Sequence, residues 1–156
     1  MNQYDPRELI HERDVSKNDQ PYFYVFIPAV PVAPGATAIV TQNISDRDFV
    51  WTDIGWTTDD VFVPAFWLPA VGVPFRVNIR DIGGQKYFSN ERVDLSTITG
   101  TNPKWNDKPM YRMIRGWRFT WKSTIWVEFL NDGLVAATPR LTLGGYLTDI
   151  SNFNRG

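Results

Sequence analysis

The stretch Phe75-Arg76-Val77-Asn78-Ile79-Arg80 decides the fold class. In an extended chain Phe75, Val77 and Ile79 fall on one side and Arg76, Asn78 and Arg80 on the other. That period of two belongs to a strand with one face in a core and the other in water. The same pattern recurs on both sides of it. Toward the C-terminus, Gly83-Gly84 marks a turn, Tyr87–Leu95 reads as a further strand and Thr99–Pro109 as a loop. Trp117–Trp121 sets Trp117, Phe119 and Trp121 against Arg118 and Thr120, so the three aromatics are expected to share the core face. Thr124–Leu130 reads as a buried strand closed by Asn131-Asp132-Gly133, and Arg140–Leu147 as the last strand, broken at Gly144-Gly145.

Toward the N-terminus, Val61–Val73 carries Pro64, Pro69 and Gly72 and reads as a loop or edge segment. Phe49–Trp56 alternates, with Phe49, Trp51 and Asp53 on one side and Val50, Thr52 and Ile54 on the other. Thr37–Ile44 and Tyr22–Ile27 are two more strands, separated by Pro28, Pro31 and the turn Pro34-Gly35. About eight short strands with no long helical segment predict an all-β fold, an antiparallel, jelly-roll-like β-sandwich. Residues 1–20 read as an N-terminal arm, with a short helix from Arg7 to Arg13 capped by Asp5 and Pro6. Residues 21–156 read as a single sandwich domain. The expected core is Phe49, Trp51, Phe75, Val77, Ile79, Ile125, Val127, Phe129, Leu141 and Leu143.

Composition narrows the chemistry. The 156 residues include no cysteine and one histidine, His11, which sits in the arm. Disulfides, thiolate metal sites, cysteine nucleophiles and multi-histidine metal sites are therefore excluded. A Ser-His-Asp site would need the arm folded over the domain. Asp46, Asp48, Asp53, Asp59 and Asp60 fall around turns, where carboxylates bond the local backbone. Glu128 stands alone in an apolar strand. Neither an enzyme nor a cofactor nor a metal is expected. No apolar run approaches the roughly 18–20 residues that span a bilayer, and the polar N-terminus does not read as a signal peptide.

Net charge is −1, but residues 104–122 hold Lys104, Lys108, Arg112, Arg115, Arg118 and Lys122 against Asp107 alone. Trp105, Tyr111, Trp117, Phe119 and Trp121 are interleaved with them. Such mixtures bind single-stranded nucleic acid in other folds. Here the alternation favours core packing with a basic solvated edge, or a subunit contact, so nucleic acid is not the expected partner. Phe66-Trp67-Leu68 lies between Pro64 and Pro69, where exposed aromatics call for a partner. Trp67, Trp105, Arg112 and Arg115 are accordingly the expected interface residues. Trp56, Trp67 or Trp105 as a platform for sugar rings is the alternative, a receptor- or carbohydrate-binding module.

Several motifs in order carry a resemblance. They are Asp48-Phe49-Val50-Trp51; Phe75 to Asp81 leading into Gly83-Gly84 and Tyr87-Phe88-Ser89-Asn90; and Ile98-Thr99-Gly100-Thr101 with Pro103 after it. Ser123 to Asn131 and Leu141-Thr142-Leu143-Gly144-Gly145-Tyr146 complete them. Over roughly residues 37–147 this order resembles the small β-sandwich accessory structural proteins of tailed bacteriophage virions, found on heads, necks or tails. The resemblance implies a non-enzymatic subunit located on the virion. It implies partners among other virion proteins, the major capsid protein or connector and tail subunits, and a homo-oligomer, with head decoration ahead of a neck or tail role. A cysteine-free, rigid domain suits folding in a reducing cytoplasm before assembly, and weak contacts gain strength when repeated over a lattice.

Overall fold

A computed structural model describes residues 19–61, 71–99 and 110–149. Residues 1–18 of the arm, with its expected Arg7–Arg13 helix, lie outside the described residues, as do Trp67 and Trp105, and Gln20 already belongs to the first strand. The strands are β1 (Gln20–Phe26), β2 (Thr37–Asn43), β3 (Asp48–Thr57), β4 (Asp60–Val61), β5 (Val71–Gly72), β6 (Phe75–Asp81), β7 (Lys86–Tyr87), β8 (Val93–Asp94), β9 (Tyr111–Phe119), β10 (Thr124–Asn131) and β11 (Arg140–Thr148). One short helix, α1 (Leu95–Thr99), follows β8.

Nine of these strands form two packed antiparallel sheets. One has the order β1-β11-β3-β9; the other is β2-β10-β6-β7, with β8 also on β6. Partners taken in chain order show how the fold is made. β1 pairs with β11, β2 with β10, β3 with β9, and β6 with β7 and β8. The chain is one long hairpin, with an outgoing limb β1-β2-β3-β6 and a returning limb β7/β8-β9-β10-β11. It is rolled until β11 also meets β3 and β10 also meets β6. A rolled hairpin of this kind is a jelly roll.

All ten expected core residues are buried between the sheets, and Phe26, Ile54 and Phe119 join them. β10 shows why the sequence was readable: its burial alternates strictly, with Ile125, Val127 and Phe129 inward and Trp126, Glu128 and Leu130 half-buried outside. Aromatic rings run through the interior in edge contacts, Tyr24 to Phe49 at 4.9 Å and Phe88 to Trp117 at 5.4 Å between centroids. Such geometries add to area burial.

Four local readings are corrected. In β3 the inward set begins as Phe49 and Trp51 but continues as Ile54 and Trp56, not Asp53. The reason is a slip at Thr52. On β11 the consecutive residues Gly144 and Gly145 pair with Asp53 and Trp51, which leaves Thr52 as an extra residue. β11 is therefore not broken at its glycines; it runs through them beside a bulge. Trp121 leaves the core because it falls in the turn after β9, where its indole Nε1 donates to the Ser45 carbonyl at 3.1 Å. Tyr87–Leu95 is not one strand but two short pairings with β6, followed by α1. Of Val61–Val73, expected as a loop or edge segment, only the two ends are described, and they form a short pairing, Val61 with Val71 and Asp60 with Gly72.

Two expected outcomes follow. A Cβ on residue 145 would collide with the backbone carbonyl of Val50, which cannot move within a paired strand, whereas one on residue 144 would meet side chains that can give, the exposed ring of Phe23 at 3.1 Å and the Met110 methyl at 3.3 Å. Gly145→Ala should therefore cost about 3 kcal/mol or more in urea denaturation, and Gly144→Ala under about 1 kcal/mol. Burial, reinforced by Tyr22 and Asp46, pushes the Tyr24 hydroxyl up to about 12. A raised acid pKa means that the folded chain holds this proton longer than the unfolded chain does. Stability should be unaffected below about pH 10 and fall as pH rises toward 12. In a phenolate absorbance titration one tyrosine should lag behind the others.

Candidate functional site

The two expected interface residues that can be placed, Arg112 and Arg115, both lie on β9, a strand at the edge of its sheet. The other two, Trp67 and Trp105, lie outside the described residues. β9 begins at Tyr111, six residues before the strand expected from Trp117. The early half escaped notice because its alternation is destroyed by a second irregularity. Trp51 pairs with Trp117 and Asp53 with Arg112, so the single residue Thr52 faces four on β9, Met113, Ile114, Arg115 and Gly116. Both irregularities of β3 thus meet at Thr52.

The bulge turns side chains out of the sheet. Ile114 is 88% exposed and Tyr111 is 46% exposed. Arg115 is also exposed. Gly116 sits where a Cβ would meet the Trp51 carbonyl at 3.1 Å and the Val50 side chain at 3.2 Å, so the return from the bulge hugs β3. A bulged edge cannot present a flat row of donors and acceptors to another strand. The surface is therefore one of side chains, not of backbone.

The two ends of β9 are anchored differently. At its start Arg112 reaches Asp53 at 3.5 Å with the arginine well exposed, a screened surface pair. Asp53 also accepts from Thr52 Oγ1 at 2.7 Å, and its carbonyl accepts from Trp51 Nε1 at 2.9 Å, which fixes the bulge from the β3 side. At its end Arg118 meets the buried carboxylate of Asp48 at 3.3 Å, and Asp48 accepts from the Trp121 backbone N–H at 2.7 Å. Trp117 donates from Nε1 to Asp81 at 3.0 Å. Asp81 is buried, and it also accepts from the Ser123 hydroxyl and from the Gly84 N–H at 3.0 Å. A carboxylate with three donors ties β9 to β6 across the two sheets.

Other carboxylates have structural partners. Glu128 lies on the outer face of its sheet and pairs with Arg92. Beside it Arg80 is sandwiched between Tyr87 and Trp126, at 4.5 and 4.1 Å from the ring centroids. Among the described residues no group of three or more His, Asp or Glu is placed to hold a metal ion, and no helix is long and apolar enough to cross a membrane. Trp56 is buried between the sheets, which removes it as a sugar-stacking platform. No family model, curated protein or solved structure matches the chain.

The difference between the two anchors is measurable. Asp48→Asn leaves the Trp121 N–H and Arg118 with a weaker acceptor in a buried site and should cost about 2 kcal/mol. Arg112→Ala breaks a screened pair and should cost less than about 0.5 kcal/mol. Urea midpoints of the two variants check both values.

Proposed function

We propose that this chain is a non-enzymatic structural subunit of a tailed-phage virion, which attaches to capsid or connector subunits and stabilises the particle. Head decoration is preferred to a neck or tail role. The observation that carries the reading is the β9 edge, where Ile114, Tyr111, Arg112 and Arg115 stand out from a bulge that rigid hydrogen bonds hold in place. Exposed apolar side chains flanked by arginines have the composition of protein–protein hot spots. The motif order that resembles virion accessory proteins supplies the class of partner. A jelly roll without cysteine needs no oxidising compartment to fold, and a lattice multiplies a modest contact.

The experiment is sedimentation of the purified chain alone and with assembled shells. The expected result is a homo-oligomer, co-sedimentation with shells, or both. A strictly monomeric chain that binds no virion protein would sink the proposal. Ile114→Asp should weaken the association about ten-fold or more. Because Ile114 supports nothing inside the fold, its denaturation midpoint should stay at the parent value.

A further inference from the structure

Behind the β9 bulge the sandwich is open. A cleft of about 610 Å³ lies between β9 and the β7–β8 edge of the opposite sheet. That is within the roughly 300–1,000 Å³ of small-molecule sites. The bulge makes it: Met113, Arg115 and Gly116, three of the four residues opposite Thr52, form its β9 wall. The opposite wall is equally interrupted, because β6 pairs only two residues with β7 and two with β8. Each sheet gives way at the same place, and the gap between them is the cleft.

The cleft has a polarity of its own. Its deep surface is Trp51, Val77 and Ile79, all nearly fully buried, with Phe88, Ile98 and Trp117 partly buried around them. Its charged lining is Lys86 and Arg115, and both are exposed, so the charge sits at the mouth. Among the described residues no carboxylate lines the cleft and neither cation forms an ion pair. Lys86 instead stands 5.9 Å over the ring of Trp117. An apolar slot that ends in two unpaired cations is complementary to one kind of molecule.

We infer that the cleft binds a small amphiphilic anion, an alkyl or flat apolar body carrying one carboxylate at its end. The apolar body displaces water from the Trp51–Ile79 floor. The carboxylate meets Lys86 and Arg115, and Arg115 offers the forked geometry that matches it. A cationic head would face two like charges, and an uncharged one would leave both unpaired. The cleft shares Arg115 with the proposed attachment edge, but the inference rests on the cleft's own lining and holds whether or not attachment to a virion occurs.

The test is isothermal titration of the full chain with dodecanoate, dodecanol and dodecyltrimethylammonium, each below its micelle threshold, with tryptophan fluorescence alongside because Trp51 and Trp117 line the cleft. Dodecanoate should bind saturably at one per chain, about ten-fold or more tighter than the cationic amphiphile. The double variant Lys86→Glu/Arg115→Glu should reverse that preference. Since both residues are exposed, its urea midpoint should match the parent and show that the fold survives. Absence of saturable dodecanoate binding up to about 1 mM overturns the proposal. So does equal affinity for anion and cation, or binding that the double variant leaves unchanged. Sedimentation that shows a second copy closing the cleft, so that dodecanoate binds only a variant unable to associate, overturns it as well.

Discussion

Everything distinctive in this sandwich depends on the close approach of Gly145 to the Val50 carbonyl. Two central strands, β3 and β11, run side by side in one sheet, and β3 carries one residue too many, Thr52. The extra residue fits only because β11 offers bare backbone opposite it. With the approach in place, the inward side of β3 changes from Phe49 and Trp51 to Ile54 and Trp56. Without it, either Ile54 and Trp56 or Phe49 and Trp51 would face water, since a one-residue slip exchanges the two faces of a strand. The same residue disturbs the other neighbour. β9 follows β3 on both sides of Thr52 but takes four residues to pass it. The exposed Ile114, the exposed arginine beside it and the gap behind them are consequences of that one insertion.

A fold rolled from a single hairpin has few local contacts to hold its ends, because the paired strands lie far apart in sequence. Three buried polar side chains supply the closure. Asp81 draws the Trp117 indole, the Ser123 hydroxyl and the turn after β6 to one point. Asp48 holds Arg118 and the turn that contains Trp121. At the other end Asn131, fully buried, donates to the Val32 and Val135 carbonyls at 2.8 and 2.9 Å and accepts from the Gly133 N–H at 2.7 Å. Each has several partners, so each fixes a crossing between strands. The acidic residues that look reactive in a sequence without partners are here the fasteners of the fold.

The core was legible for a physical reason. Period-two burial is a local property: β10 keeps it throughout, β6 keeps it except at the buried Asn78, and β11 keeps it from Arg140 to Leu143. Phe75, Val77, Ile79, Ile125, Val127, Phe129, Leu141 and Leu143 could be placed from their neighbours alone. The site was not legible in the same way. A bulge is a relation between two strands, and nothing in Trp51-Thr52-Asp53 states that Gly144-Gly145 lies on one side and Met113–Gly116 on the other. Alternation read along one strand therefore puts Asp53 on the wrong face and hides the first half of β9. The one available signal was the pair Gly144-Gly145 within a strand. Glycine costs stability there, and it usually marks a bulge or a close approach of backbone. Charge marks out Arg112 and Arg115 in the sequence, and the fold places both on β9. The fate of Trp121 turned on a third relation, the bond from its indole to the Ser45 carbonyl, which no periodicity encodes.

The form of the β9 edge limits how it can be used. A flat, apolar edge strand invites pairing with any other strand, including another copy of itself, and leads to uncontrolled association. β9 carries Tyr111, Ile114 and three arginines on such an edge, yet four of its residues leave the ladder. Backbone pairing is blocked where the apolar side chain is most exposed. What the edge offers is side-chain shape and positive charge, so the attachment proposed above would call for a matching pocket with acidic groups. The positive charges also repel a second β9 brought up to the first. The insertion at Thr52 thus exposes the isoleucine and blocks strand pairing beside it in one step.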